Sequence, residues 1–175
     1  EIQKLDIEEP TKEFLKKKVG SGMRMFKIDK IIYDKNENNL QKLTNVYNMV
    51  HSQDLSIFLL LNSDGAEVQM YLGICEEDSP SRQKMGLETL YNGFMGNFPG
   101  SLDSFDKVKL EKEESEQVLQ ECFAQDRGAI SVVSGVASVR NEKIQENEKF
   151  IQGVEKLVDA MKGNPFTTLI IANPI

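Results

Sequence analysis

His51 is the single histidine of the chain, so any Ser-His-Asp or Cys-His couple would have to use it as its base. Asp54 is close enough in sequence to orient an imidazole, and Cys75 or a serine would then supply the nucleophile. One histidine cannot build a multi-histidine metal centre. Its place at the end of a predicted helix, where a protonated ring meets the negative pole of the dipole, reads as a solvent-facing helix end. Cys75 and Cys122 lie far apart with no Cys-x-x-Cys spacing, so neither a zinc site nor a disulfide framework is expected. They read as reduced, buried thiols, with one long-loop bridge left open. Carboxylates are dense in Glu76-Glu77-Asp78 and in Glu111, Glu113, Glu114 and Glu116. Acid–base catalysis needs carboxylates held in different environments within a cleft, whereas these runs read as solvated surface. None follows the Asp-x-Asp-x-Asp-Gly pattern of a calcium loop. The sequence therefore predicts no catalytic residue, no metal ligand and no resident cofactor.

A phosphate-cradling P-loop needs G-x-x-x-x-G-K-[ST], and the chain has no such run. Gly20-Ser21-Gly22 follows a lysine cluster rather than an apolar strand and reads as a linker. Positive charge concentrates only in Lys16-Lys17-Lys18 and in Arg24, Lys27 and Lys30. Aromatic residues between them are limited to Phe26 and Tyr33, too few for the stacking strand of an RNA binder. Two features are left as a candidate interaction surface. One is the lysine cluster Lys16, Lys17 and Lys18; the other is a set of three glycines, Gly86, Gly93 and Gly96, inside or near one predicted helix. Each costs that helix about 1 kcal/mol relative to alanine, which close packing on a neighbouring element would explain.

Composition bounds these readings. The 175 residues, 39% hydrophobic, suit one domain of ~150 residues with a core that needs no staples. A formal charge of −7 opposes nucleic acid and anionic membranes alike. The longest apolar runs fall far short of the ~20 residues that span a bilayer, so the expected location is cytoplasmic, with no membrane partner. Glu1 is not an initiator methionine and no leader precedes it, which reads as a piece of a longer protein.

Residues 1–25 read as a charged N-terminal arm, and 26–175 as a single α/β domain. Phe26–Tyr33 alternates as a half-buried strand, and a helix over Glu37–Gln53 carries Leu40, Leu43, Val46, Tyr47 and Val50 on one stripe. Leu55–Leu61 is a continuous apolar run, then Asp64-Gly65 marks a hairpin whose return strand places Val68, Met70, Leu72 and Ile74 opposite Gln69 and Tyr71. Ser79-Pro80-Ser81 opens a second helix, which Asn97-Phe98-Pro99-Gly100 ends. A short strand over Phe105–Leu110, a helix over Glu113–Gln125, an interior strand over Gly128–Val139, a helix over Phe150–Met161 and a strand over Phe166–Ala172 complete the pattern. The fold class is α+β: a two-layer α/β sandwich on a mainly antiparallel sheet, with a ferredoxin-like βαββαβ start and an αβαβ extension.

Two segments carry a resemblance. Tyr91–Ser101 is similar to a helix ending in Gly-Asn-Phe-x-Gly-Ser. Gly135–Val139, followed by Phe150–Met161 and then Ala172-Asn173-Pro174, looks like a "G-I-P-S … F-x-Q-G-L-[ED]-[KR]-L-I-[DN]-[AS]-M" run that leads to a strand closed by a small residue and proline; Ala137 stands where that pattern has proline. Together they resemble the N-terminal, non-motor region of bacterial ATP-binding, helicase-like proteins of the FtsK/HerA type. In such proteins the Walker motifs lie in a later motor domain, so none of that family's nucleotide-binding residues carries over. The resemblance implies a non-catalytic accessory domain at the N-terminus of a larger ATPase, serving scaffolding, oligomerisation or regulation. Its partners would be the downstream motor and further copies of itself. The alternatives are a free-standing protein-interaction or ligand-binding module, and, third, a small hydrolase using His51.

Overall fold

The computed structural model describes residues 9, 11–12, 16, 20–32, 36–77, 79–101, 109–123, 128–135 and 152–174. Strand β1 (Met23–Ile28) leads to helix α1 (Asn39–His51), strands β2 (Ser56–Ser63) and β3 (Val68–Cys75), helices α2 (Pro80–Asn97), α3 (Lys112–Phe123) and α4 (Gln152–Met161), and strand β4 (Phe166–Ala172). The sheet order is β1-β3-β2-β4 and every pairing is antiparallel. The chain is thus a mixed α+β protein, an α/β sandwich on an antiparallel sheet as the hydrophobic pattern predicts.

Local chemistry places each boundary. Asn38 caps α1 by accepting the Gln41 amide at 3.0 Å. Ser79 caps α2 by accepting the Arg82 amide, with Pro80 on the first turn where its missing N–H costs nothing. At the far end, Phe98 donates its amide to the Phe94 carbonyl and Gly100 takes φ +76°, so the chain leaves the helix there. Between β2 and β3 the Asp64 carboxylate accepts the amides of Ala66 and Glu67, and Gly65 takes φ +97°. These bonds to an ionised acceptor hold the Asp64 carboxyl below the usual carboxylate range.

Both faces of the sheet are covered. On one, α1 and α2 bury Phe26, Ile28, Val46, Leu55, Ile74, Leu90, Phe94 and Phe98. Phe26 meets Tyr91 edge-on, with centroids 5.4 Å apart. On the other, Met25, Phe58, Leu60 and Tyr71 pack under Leu119 and Cys122 of α3. The second core moves Tyr71 from the solvated side of its strand, where alternation puts it, to 6% exposure. Burying a Phe or Leu fully contributes about 1.5–3 kcal/mol, so the two clusters supply most of the driving force.

β1 and β2 are both antiparallel to β3, which lies between them, so β1-α1-β2 is a split βαβ unit. Lys109 bridges to Phe26 and the Leu110 amide donates to the Met25 carbonyl, so the end of the expected Phe105–Leu110 strand reaches the outer edge of β1, where a ferredoxin-like order places its fourth strand. Residues 102–108 lie outside the described set. β4 then extends the sheet beyond β2.

Three expectations need correcting. β1 begins at Met23, inside the stretch assigned to the arm, because Met25 is fully buried in the second core and Gly22 packs against Glu76 and Glu77. The strand also stops at Ile28, leaving Ile31 and Ile32 exposed. Gly128–Gly135 is not an interior strand: it joins no helix or sheet, and Ile130, Val132 and Val133 are 92%, 86% and 93% exposed. Its valine content matches a strand, yet among the described residues no neighbouring strand receives it. The remainder of that expected strand, 136–139, lies outside the described residues, as do Phe150 and Ile151 of the last expected helix.

Candidate functional site

The residues that the sequence offers for chemistry are kept apart. His51 is the last residue of α1 and is exposed, with its ring 5.5 Å from that of Tyr47. Cys75 follows Ile74 on β3, so alternation turns it away from the face that carries α1. The sheet therefore lies between the imidazole and the thiol. Cys75 and Cys122 are both free thiols, and burial pushes each above the ordinary thiol range, which makes them poor nucleophiles. Among the described residues no cluster of His, Cys, Asp or Glu is arranged to hold a metal ion.

The acidic run Glu76-Glu77-Asp78 departs from a uniform solvated face. Glu76 is 8% exposed, and its carboxylate pairs with Arg82 at 3.1 Å while Gln83 donates to its carbonyl at 2.6 Å. Arg82 also donates to the Gln53 carbonyl, so one guanidinium ties the end of β3 and the exit of α1 to the first turn of α2. That is positioning work inside the fold. Glu77 is exposed, as the sequence suggests.

The three helix glycines separate into two roles. Gly86 is buried, and a Cβ there would collide with the Leu55 side chain; at Gly93 it would come within 2.9 Å of the Met49 sulfur. Both positions are taken up by close packing of α2 on its own neighbours. Gly96 opens to solvent with nothing near it. Lys16 is exposed, and Lys17 and Lys18 lie outside the described residues.

Two features that sequence reading did not single out form the candidate site. The first is the outer edge of β4. The opposite edge strand, β1, carries Arg24 and Lys27 and is overlain by Lys109 and Leu110. β4 reads Phe-Thr-Thr-Leu-Ile-Ile-Ala, with no charge and no proline, and Ile170 and Ile171 are 45% and 48% exposed. Sheet edges are ordinarily guarded by charge, proline or a bulge, and this one has none of the three along its length. The signal was present in the sequence as an uncharged final strand, but only the sheet order reveals it as an edge.

The second is an open groove of about 390 Å³ between α4 and the sheet. Ile28, Leu61, Met70, Val154 and Val158 give it an apolar lining, and Asp29, Glu155 and Asp159 add carboxylates. Such a surface suits an apolar segment that carries basic residues, and it repels anions. Among the described residues no helix is long and apolar enough to cross a membrane. No family model, curated protein or solved structure matches this chain.

Proposed function

We propose that the chain is a non-catalytic accessory domain whose work is done by contact surfaces, joined at the front of a larger ATPase and serving its assembly or control. The observation that carries the assembly reading is the outer edge of β4, since an uncharged strand that pairs with no second strand among the described residues, and that carries two exposed isoleucines, is a template for another strand. The ATPase connection rests on the resemblance of Tyr91–Ser101, Gly135–Val139 and Phe150–Met161 to the non-motor region of FtsK/HerA-type proteins. Two measurements test that connection. The gene is expected to continue past Ile175 into Walker A and Walker B motifs, and titration of ATP into the 175-residue chain is expected to show no micromolar binding. A stop codon soon after Ile175, or tight ATP binding by this chain, would refute it.

A second reading, a free-standing interaction module, is favoured by the groove beside α4, whose carboxylates and apolar lining suit a basic amphipathic segment. A native stop after Ile175 together with binding of such peptides would select it.

A further inference from the structure

The chain holds two β-prone pieces, each without a strand partner among the described residues. One is the outer edge of β4, seven residues long with no charge. The other is Gly128–Gly135, reading Gly-Ala-Ile-Ser-Val-Val-Ser-Gly, equally uncharged and one residue longer. Exposures of 86–93% at Ile130, Val132 and Val133 mean that this segment touches almost nothing in its own fold. Apolar side chains left in water to that degree over consecutive turns of chain mark a surface built for contact. In an extended conformation Ile130 and Val132 would share one face and Ser131 and Val133 the other, a pattern that suits a strand flanking Ile170 and Ile171.

We infer that two copies of this chain exchange these pieces, the Gly128–Gly135 segment of each adding as a strand to the free edge of the other's β4. A second copy is the occupant that the page favours. The segment is anchored in its own chain between α3 and α4, yet within one chain it stays in solvent rather than on β4. Reciprocal exchange closes on itself by two-fold symmetry and removes both exposed edges at once. The inference gives the assembly reading above its geometry and rests on that reading for its purpose. A monomeric chain whose gene runs into Walker motifs would defeat the exchange and leave the accessory role standing.

The test is the oligomeric state of the 175-residue chain and three variants by sedimentation velocity, with circular dichroism confirming that each folds. Val132→Lys alters the segment at a position 86% exposed, Ile171→Lys alters the edge, and Met85→Lys alters an exposed apolar position on α2 as a control. The wild type and Met85→Lys are expected to be dimers and the other two monomers. An equimolar mixture of Val132→Lys and Ile171→Lys is expected to recover dimer, because one intact segment meets one intact edge. A monomeric wild type overturns the inference, including one whose residues 129–134 are protected from hydrogen exchange by pairing within the chain. A Val132→Lys variant that stays dimeric overturns it as well, since β4 would then pair with β4 or another surface would hold the copies together.

Discussion

The ring of Phe58 lies over the Cα of Gly73, its direct cross-strand partner, so that a Cβ on Gly73 would stand 2.6 Å from the Phe58 Cε1 and overlap the Arg24 carbonyl of the other neighbouring strand. Glycine here makes room for a fully buried aromatic at the centre of the second core. Gly73→Ala must displace a backbone carbonyl as well as a ring. The expected loss is about 2 kcal/mol or more in urea denaturation. A change under about 0.5 kcal/mol would contradict this packing.

The glycines of α2 should behave differently from one another. Gly96→Ala adds a methyl group to open space and gains helix propensity, so stability should rise by up to about 1 kcal/mol. Gly86→Ala gains the same propensity but drives its methyl group into Leu55, which is 2% exposed, and a net loss of about 1–2 kcal/mol is expected. Thermal melts of the two single variants decide it: equal shifts would mean that neither position packs as described.

Arg82 joins three elements through the Glu76 carboxylate and the Gln53 carbonyl. Arg82→Ala leaves a carboxylate with 7% side-chain exposure without that partner. Because the arginine itself is 45% exposed, the cost is discounted to about 1–2 kcal/mol. Arg82→Lys should recover only part of it, as a single ammonium cannot reproduce the two-way fork. Full recovery in denaturant titration would show that charge alone matters.

Burial is the main cause that lifts the Tyr71, Cys75 and Cys122 hydroxyl and thiols above their ordinary values, and nearby Glu121 and Glu77 add to it. In the unfolded chain the thiols ionise near 9.0 and the phenol near 10.0, so the stability these groups contribute is fully present below pH 9 and declines as pH rises through the folded values. Melting temperature should therefore fall on the alkaline side, and thiol labelling at pH 7 should be slow until the chain is unfolded. Rapid labelling of Cys122 in the native chain at pH 7 would contradict its burial.

Much of the architecture could be read from the sequence because short-range chemistry sets it. Ser79-Pro80 and Asn97-Phe98-Pro99-Gly100 bound α2 where capping rules place them, and Asp64-Gly65 turns the hairpin. What escaped depends on contacts between distant segments. Tyr71 is inward because α3 covers a second face, and Glu76 is buried because Arg82 arrives from α2. Periodicity cannot report either. The Gly128–Gly135 segment has strand composition, but composition does not say whether a neighbouring strand exists to receive it. The candidate site was hidden for the same reason, since Phe166–Ala172 becomes an unguarded edge only once β2 is known to be its sole neighbour among the described strands.

Light scattering on the purified 175-residue chain is the direct test of strand exchange between copies. A particle of twice the 19.8 kDa chain mass that Ile171→Lys reduces to one chain is expected, whereas a wild type that remains at 19.8 kDa across concentrations up to about 100 µM would rule the exchange out.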